Sequence, residues 1–104
     1  MTRQGRCYIL ALEFLIKNEL LNSYILIHGS VEARNPEAKE KKRIFHAWIE
    51  TDAGYVYEPV TDSFIKLEDF ERISNPIRIK SYSTMEAFLL ANKNNHYGPW
   101  TEED

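Results

Sequence analysis

The sequence predicts an α+β domain: an N-terminal helix that carries a cysteine, packed on a small antiparallel sheet of about four strands, with a C-terminal helix. Three observations carry this. A Leu-, Ala- and Glu-rich stretch without Gly or Pro lies near the start of the chain. Strand-like segments occupy the middle, two of them joined by turn residues. A helix-capping signature then precedes the last apolar run.

Residues 7–22 form the first predicted helix. The composition favours helix, and Glu13 and Lys17 stand one turn apart as an ion pair. Polar positions are few, so most of its circumference is expected to be buried. Residues 24–31 (Tyr-Ile-Leu-Ile-His-Gly-Ser-Val) read as a strand covered on both faces, being short, β-branched and nearly continuously apolar. Residues 32–42 are charged and contain Pro36, which suits an exposed loop. Its Lys39, Lys41 and Lys42 are interleaved with Glu37 and Glu40, the pattern of a solvated segment.

Residues 43–50 (Arg-Ile-Phe-His-Ala-Trp-Ile-Glu) read as a second strand and residues 55–60 as a third. Thr51-Asp52-Ala53-Gly54 between them is a turn signal, so the two form a hairpin. Residues 66–73 suit a short helix, and residues 77–82 alternate as a strand does. Ser83 and Glu86 then match a capping box for a helix running to about Lys93. His96-Tyr97-Gly98-Pro99-Trp100 cannot continue that helix and reads as an ordered turn before an acidic tail.

At 104 residues the chain has the length of one domain. Its 13 basic and 16 acidic residues leave a net charge of −3, which argues against a nucleic-acid binder or a polybasic membrane anchor. The longest uncharged run, residues 20–31, has 12 residues, short of the roughly 18 a membrane-spanning helix needs. The apolar stretch at residues 7–16 contains Glu13 and no small-residue cleavage site follows it, so a signal peptide is not expected. A single cysteine allows no internal disulfide and suits a reducing compartment, the cytoplasm.

Three residues converge on one chemistry. Cys7 follows Gly5 and Arg6 at a helix start, where unpaired N–H groups and partial positive charge favour a thiolate and can receive an oxyanion. Taken by itself, its plainer reading is a small buried hydrophobe. His46 stands mid-strand, on one face with Trp48 and Glu50. An imidazole there can take a thiol proton and return it to a leaving group, whereas the commoner strand histidine is simply hydrogen-bonded and half-buried. Glu58 is the third. If the hairpin loop is Asp52-Ala53-Gly54 with Gly54 left-handed, Thr51 faces Tyr55, Trp48 faces Glu58, and Glu58 lies diagonal to His46 on the same face. A four-residue loop would put Glu58 on the opposite face, with Asp62 the alternative orienter. Its plainer reading is a solvated charge at a strand end.

These segments resemble a family. Gln4-Gly5-Arg6-Cys7-Tyr8 resembles the cysteine-bearing helix start of papain-like and transglutaminase-like proteins. His46-Ala47-Trp48-Ile49-Glu50 resembles their histidine strand, and Val56-Tyr57-Glu58-Pro59 the strand bringing the acidic third member. The order Cys, His, acid matches over roughly residues 4–60. Glu58 stands where the family usually has Asp or Asn. The resemblance implies thiol chemistry on acyl groups, with a protein, peptide or small amide as substrate and no cofactor. It also implies that Gln4 or the Cys7 backbone N–H forms the oxyanion hole, with Trp48 supporting.

His28, Tyr97 and Trp100 are candidate walls of such a site, though a buried histidine and a packed C-terminal anchor are the plainer readings. Cys7, His28 and His46 have no pair at the short spacing of zinc motifs, so no metal is expected. No phosphate-binding or dinucleotide-binding glycine motif is present. Two other readings stand beside the enzyme: an inactive binding or inhibitory module on the same fold, and a structural subunit using its six tyrosines and two tryptophans as an interface.

Overall fold

A computed structural model describes residues 6–18, 24–32, 42–96, 98 and 100. Its elements in chain order are α1 (Cys7–Lys17), β1 (Ile25–Glu32), β2 (Arg43–Glu50), β3 (Tyr55–Glu58), β4 (Ser63–Lys66), α2 (Leu67–Ser74), β5 (Ile77–Tyr82) and α3 (Thr84–Asn94). The strands form one sheet in the order β4-β3-β2-β1-β5, and every neighbouring pair is antiparallel. The protein is thus α+β, with five strands rather than four.

Alternation along the central strands divides the core into two. Leu26, Ala47, Ile49 and Tyr57 face one way and meet Ala11, Leu12 and Leu15 of α1 and Ala87 of α3. Ile27, Trp48 and Val56 face the other way and meet Phe70 of α2. Each large apolar side chain so covered contributes about 1.5–3 kcal/mol. In α1 only Glu13 and Lys17 are exposed, which is why so apolar a segment is stable as a helix in a small protein. α2 leaves β4 at one edge and leads to β5 at the other, so it spans the second face of the sheet.

The hairpin joining β2 and β3 sets the register that matters for the site. Gly54 has φ +81°, a conformation glycine adopts without a side-chain penalty. Thr51 N–H donates to Tyr55 O at 3.0 Å, and Ile49 faces Tyr57 while Glu50 faces Val56. The loop is therefore Asp52-Ala53-Gly54, the three-residue case. β3 stops at Glu58, two residues short of the predicted strand, because Pro59 has no N–H for the ladder and the chain turns through Asp62, whose φ is +52°. That turn creates β4, a strand the sequence reading does not contain; Phe64 and Ile65 alone carry too little pattern to declare it.

The remaining elements match the sequence closely. β2 and β5 have the predicted bounds. Ser83 Oγ accepts from Glu86 N at 3.2 Å, and Glu86 Oε1 accepts from Ser83 N at 2.9 Å, a complete capping box. α1 covers 7–17 of the predicted 7–22, the positions beyond Asn18 lying outside the described residues. Most of the predicted loop at 32–42 also lies outside them.

Candidate functional site

His46 is the centre of a three-residue chain of contacts. It sits in the buried part of β2, 5% exposed. Its Nε2 meets Glu58 Oε1 at 2.7 Å and Oε2 at 2.9 Å. Glu58 is the last residue of β3 and shares the face of His46, as the three-residue loop requires. The carboxylate is held in turn by Val60 N, which donates to Oε1 at 3.1 Å. Cys7 also acts on the His46 ring, as a hydrogen-bonding and charged neighbour that raises its pKa. Nε2 is engaged by Glu58, so Nδ1 is the ring nitrogen left for the thiol.

Cys7 is the first residue of α1 and is 6% exposed. Arg6 at the preceding cap position supplies no capping side chain. The N–H groups of the first helical turn therefore receive no acceptor from that residue. Gln4 lies outside the described residues, as does Tyr97.

The electrostatics favour a proton on His46. Burial lowers the pKa of the imidazole, but hydrogen bonds with Cys7 and Glu58 and the charges of both outweigh it, pushing the value up to about 9. Tyr8, next in chain, is pushed up to about 12, first by burial and then by the nearby Cys7 and Tyr82.

Trp48 lies beside this chain. Its indole stacks on the His46 ring at 5.9 Å with 26° between planes. Its Nε1 donates to Glu50 Oε2 at 3.0 Å, and the same carboxylate oxygen accepts from Arg78 Nε at 2.6 Å. The indole N–H is thus committed to Glu50, and the contact Trp48 makes with His46 is through its ring face. Asp62, the alternative orienter, instead accepts from the Tyr57 hydroxyl, and Tyr57 lies on the opposite face from Glu58.

His28 is placed elsewhere, in an aromatic cluster next to Cys7's neighbour. Its ring lies 4.8 Å from Tyr8, 5.0 Å from Tyr82 and 5.2 Å from Trp100. Both ring nitrogens are buried with no hydrogen-bond partner. Burial pulls its pKa down to about 4, so it is neutral at physiological pH. Trp100 is 5% exposed and its Nε1 donates to His96 O at 2.9 Å, so it is both a packed anchor and a wall beside His28. His96 itself is exposed and accepts from Gly98 N through Nδ1. Tyr8, Tyr82, Phe45 and Val60 surround these groups without having been singled out in the sequence. A composition rich in tyrosine hides them, because only the fold tells which aromatic rings meet.

No helix among the described residues is long and apolar enough to cross a membrane. Compared with family models, curated proteins and solved structures, the chain matches none.

Proposed function

We propose that the chain is a small cysteine hydrolase or acyltransferase acting on an amide, peptide or isopeptide bond. The observation that carries this reading is the Glu58 carboxylate held on the His46 imidazole by two short contacts, with Cys7 at a helix start acting on the same ring. Such an arrangement is what a thiol nucleophile needs: a base within hydrogen-bond reach and a third group that orients the base. It is also the arrangement implied by the resemblance to papain-like and transglutaminase-like proteins.

In this mechanism His46 holds the proton while the Cys7 sulfur bonds to the carbonyl carbon. The oxyanion that forms is received by the Cys7 backbone N–H at the start of α1. His46 then protonates the leaving amine as the carbon–nitrogen bond breaks, leaving a thioester. Water or an acceptor amine attacks the thioester, passes its proton to His46, and releases Cys7. Glu58 holds the ring and stabilises the imidazolium through both proton transfers. The single cysteine suits a reducing cytoplasm, where the thiol stays free.

The test is acylation by p-nitrophenyl acetate, followed by intact mass. Wild type is expected to gain one acyl group on Cys7 with a burst of nitrophenol. Cys7→Ser is expected to gain none on that residue, and His46→Ala to acylate at least about 10²-fold more slowly. Equal acylation rates in wild type and His46→Ala would overturn the reading.

A further inference from the structure

A pocket of about 160 Å³ is lined by Tyr8, His28, Phe45, Ile79, Lys80, Tyr82 and Trp100. It adjoins the candidate site through the chain. Tyr8, which lines the pocket, directly follows Cys7 and is reached by its charge, whereas Phe45 precedes His46 on β2 with its side chain on the other face. Its outer rim is apolar and open, with Phe45 73% and Ile79 57% exposed. Its inner wall is aromatic. A cavity of about 150 Å³ with apolar walls is large enough for one benzene ring.

Two polar side chains line the pocket, the exposed Lys80 and the buried His28. His28 is 5% exposed and neither of its ring nitrogens has a hydrogen-bond partner. A buried polar group without a partner costs about 1–3 kcal/mol, so a ligand atom that bonds there recovers what folding leaves unsatisfied. A neutral imidazole presents one donor and one acceptor. A hydroxyl can answer either. A charged group brought against the neutral His28 would lose its hydration without a compensating charge there.

We propose that this pocket binds one aromatic ring bearing a hydroxyl, a phenol such as a tyrosyl side chain, and so presents the attached acyl group beside Cys7. The aromatic walls receive the ring in edge-to-face contact and His28 meets the hydroxyl. Ring binding stands on the pocket alone. The presentation of an acyl group rests on the nucleophile reading above and names its substrate class.

The binding test uses Cys7→Ser protein, which keeps every pocket residue and removes the thiol. p-Cresol and toluene are titrated while the His28 imidazole and Trp100 indole resonances are followed by NMR. p-Cresol is expected to move both and to bind about tenfold tighter than toluene, the margin of one added hydrogen bond. His28→Phe is expected to bring that ratio close to one. Ile79→Trp, at an exposed rim position that leaves the core alone, is expected to abolish p-cresol binding by filling the pocket. Equal binding of the two ligands, or no movement of either resonance, overturns the proposal. The acyl part is read in wild type with tyrosyl and alanyl p-nitroanilides, the tyrosyl compound being expected to acylate Cys7 at least about tenfold faster. Equal acylation by both overturns the substrate class and leaves the nucleophile intact. p-Cresol binding with no acylation of Cys7 by any substrate upholds the ring site and overturns the nucleophile.

Discussion

Two buried histidines of this protein are displaced in opposite directions, and each displacement has a sign that stability measurements can read. His46 is raised to about 9 because hydrogen bonds and charges from Cys7 and Glu58 outweigh its burial. A group raised on folding stabilises fully below its unfolded value near 6.5, and that contribution is lost as pH climbs through 9. His28 is lowered to about 4 by burial alone. Its contribution is complete above 6.5 and is lost as pH falls toward 4. Thermal melts across pH 4–10 are therefore expected to differ by variant. His46→Gln should flatten the alkaline decline of Tm and His28→Phe the acid decline, each by about 5 °C or more. Unchanged alkaline slopes in His46→Gln would contradict the paired state of that ring. Glu58→Gln tests the same contact from the other side: NMR titration should place the His46 pKa well below 9, and acylation should slow at least about tenfold. The contact of His46 with Glu58 was legible as one of two registers, because strand alternation and turn chemistry act over neighbouring residues. The ring partners of His28 were not, because aromatic rings look alike in a sequence until the fold brings them to 4.8–5.2 Å.

Among the elements, the hairpin between β2 and β3 decides the most with the fewest residues. Strand faces alternate, so one residue more or less in the loop turns every following side chain over. The left-handed Gly54 and the Thr51–Tyr55 bond fix three loop residues and leave Glu58 on the face of His46. Inserting one glycine between Ala53 and Gly54 is expected to break that contact. The His46 pKa would then fall toward 6.5 or below while the fold melts in one transition; a value still near 9 would show that the hairpin does not set the contact. A second element-scale prediction concerns Gly29. A Cβ there would lie 2.1 Å from Ile77 O and 2.8 Å from the Trp48 ring, so β5 must move off β1 to admit it. Gly29→Ala is expected to cost about 2 kcal/mol or more in urea unfolding. β2, β5 and the capping box of α3 were readable because their patterns run for six residues or more or have a defined spacing. β4 was not, since its stability comes from pairing with β3 and from the turn at Asp62.

For the molecule as a whole, α1 and the segment after α3 meet over one face of the sheet. Tyr8 of α1 and Trp100 near the C-terminus close on His28 of β1 from different directions, and Trp100 also packs edge-on against Tyr82 of β5. Trp100 therefore belongs to the larger of the two cores. Trp100→Ala is expected to cost about 3–5 kcal/mol in urea unfolding, with an unchanged m-value. A loss under about 1 kcal/mol would mean the C-terminal segment is not part of the folding unit. The smaller core under α2 is closed by a polar network in which Arg78 bridges Glu50 and Glu71 at 2.6 and 2.7 Å. These pairs join β5 to β2 and α2. They are partly solvated, so they orient the layers more than they stabilise them.

The amino-acid sequence alone determined the class of the fold, the position of Cys7 at a helix start, the alternation that puts His46 and Trp48 on one face, and the hairpin partner strand. Composition, periodicity and turn chemistry act over a few neighbouring residues, and a sequence displays such neighbours directly. Only the tertiary structure decided that the loop has three residues, that Glu58 and not Asp62 meets His46, and that Trp48 commits its N–H to Glu50. It alone also showed the fifth strand and the aromatic pocket around His28. Those outcomes depend on which side chains become neighbours after layers pack, and packing is set by contacts between residues far apart in the chain.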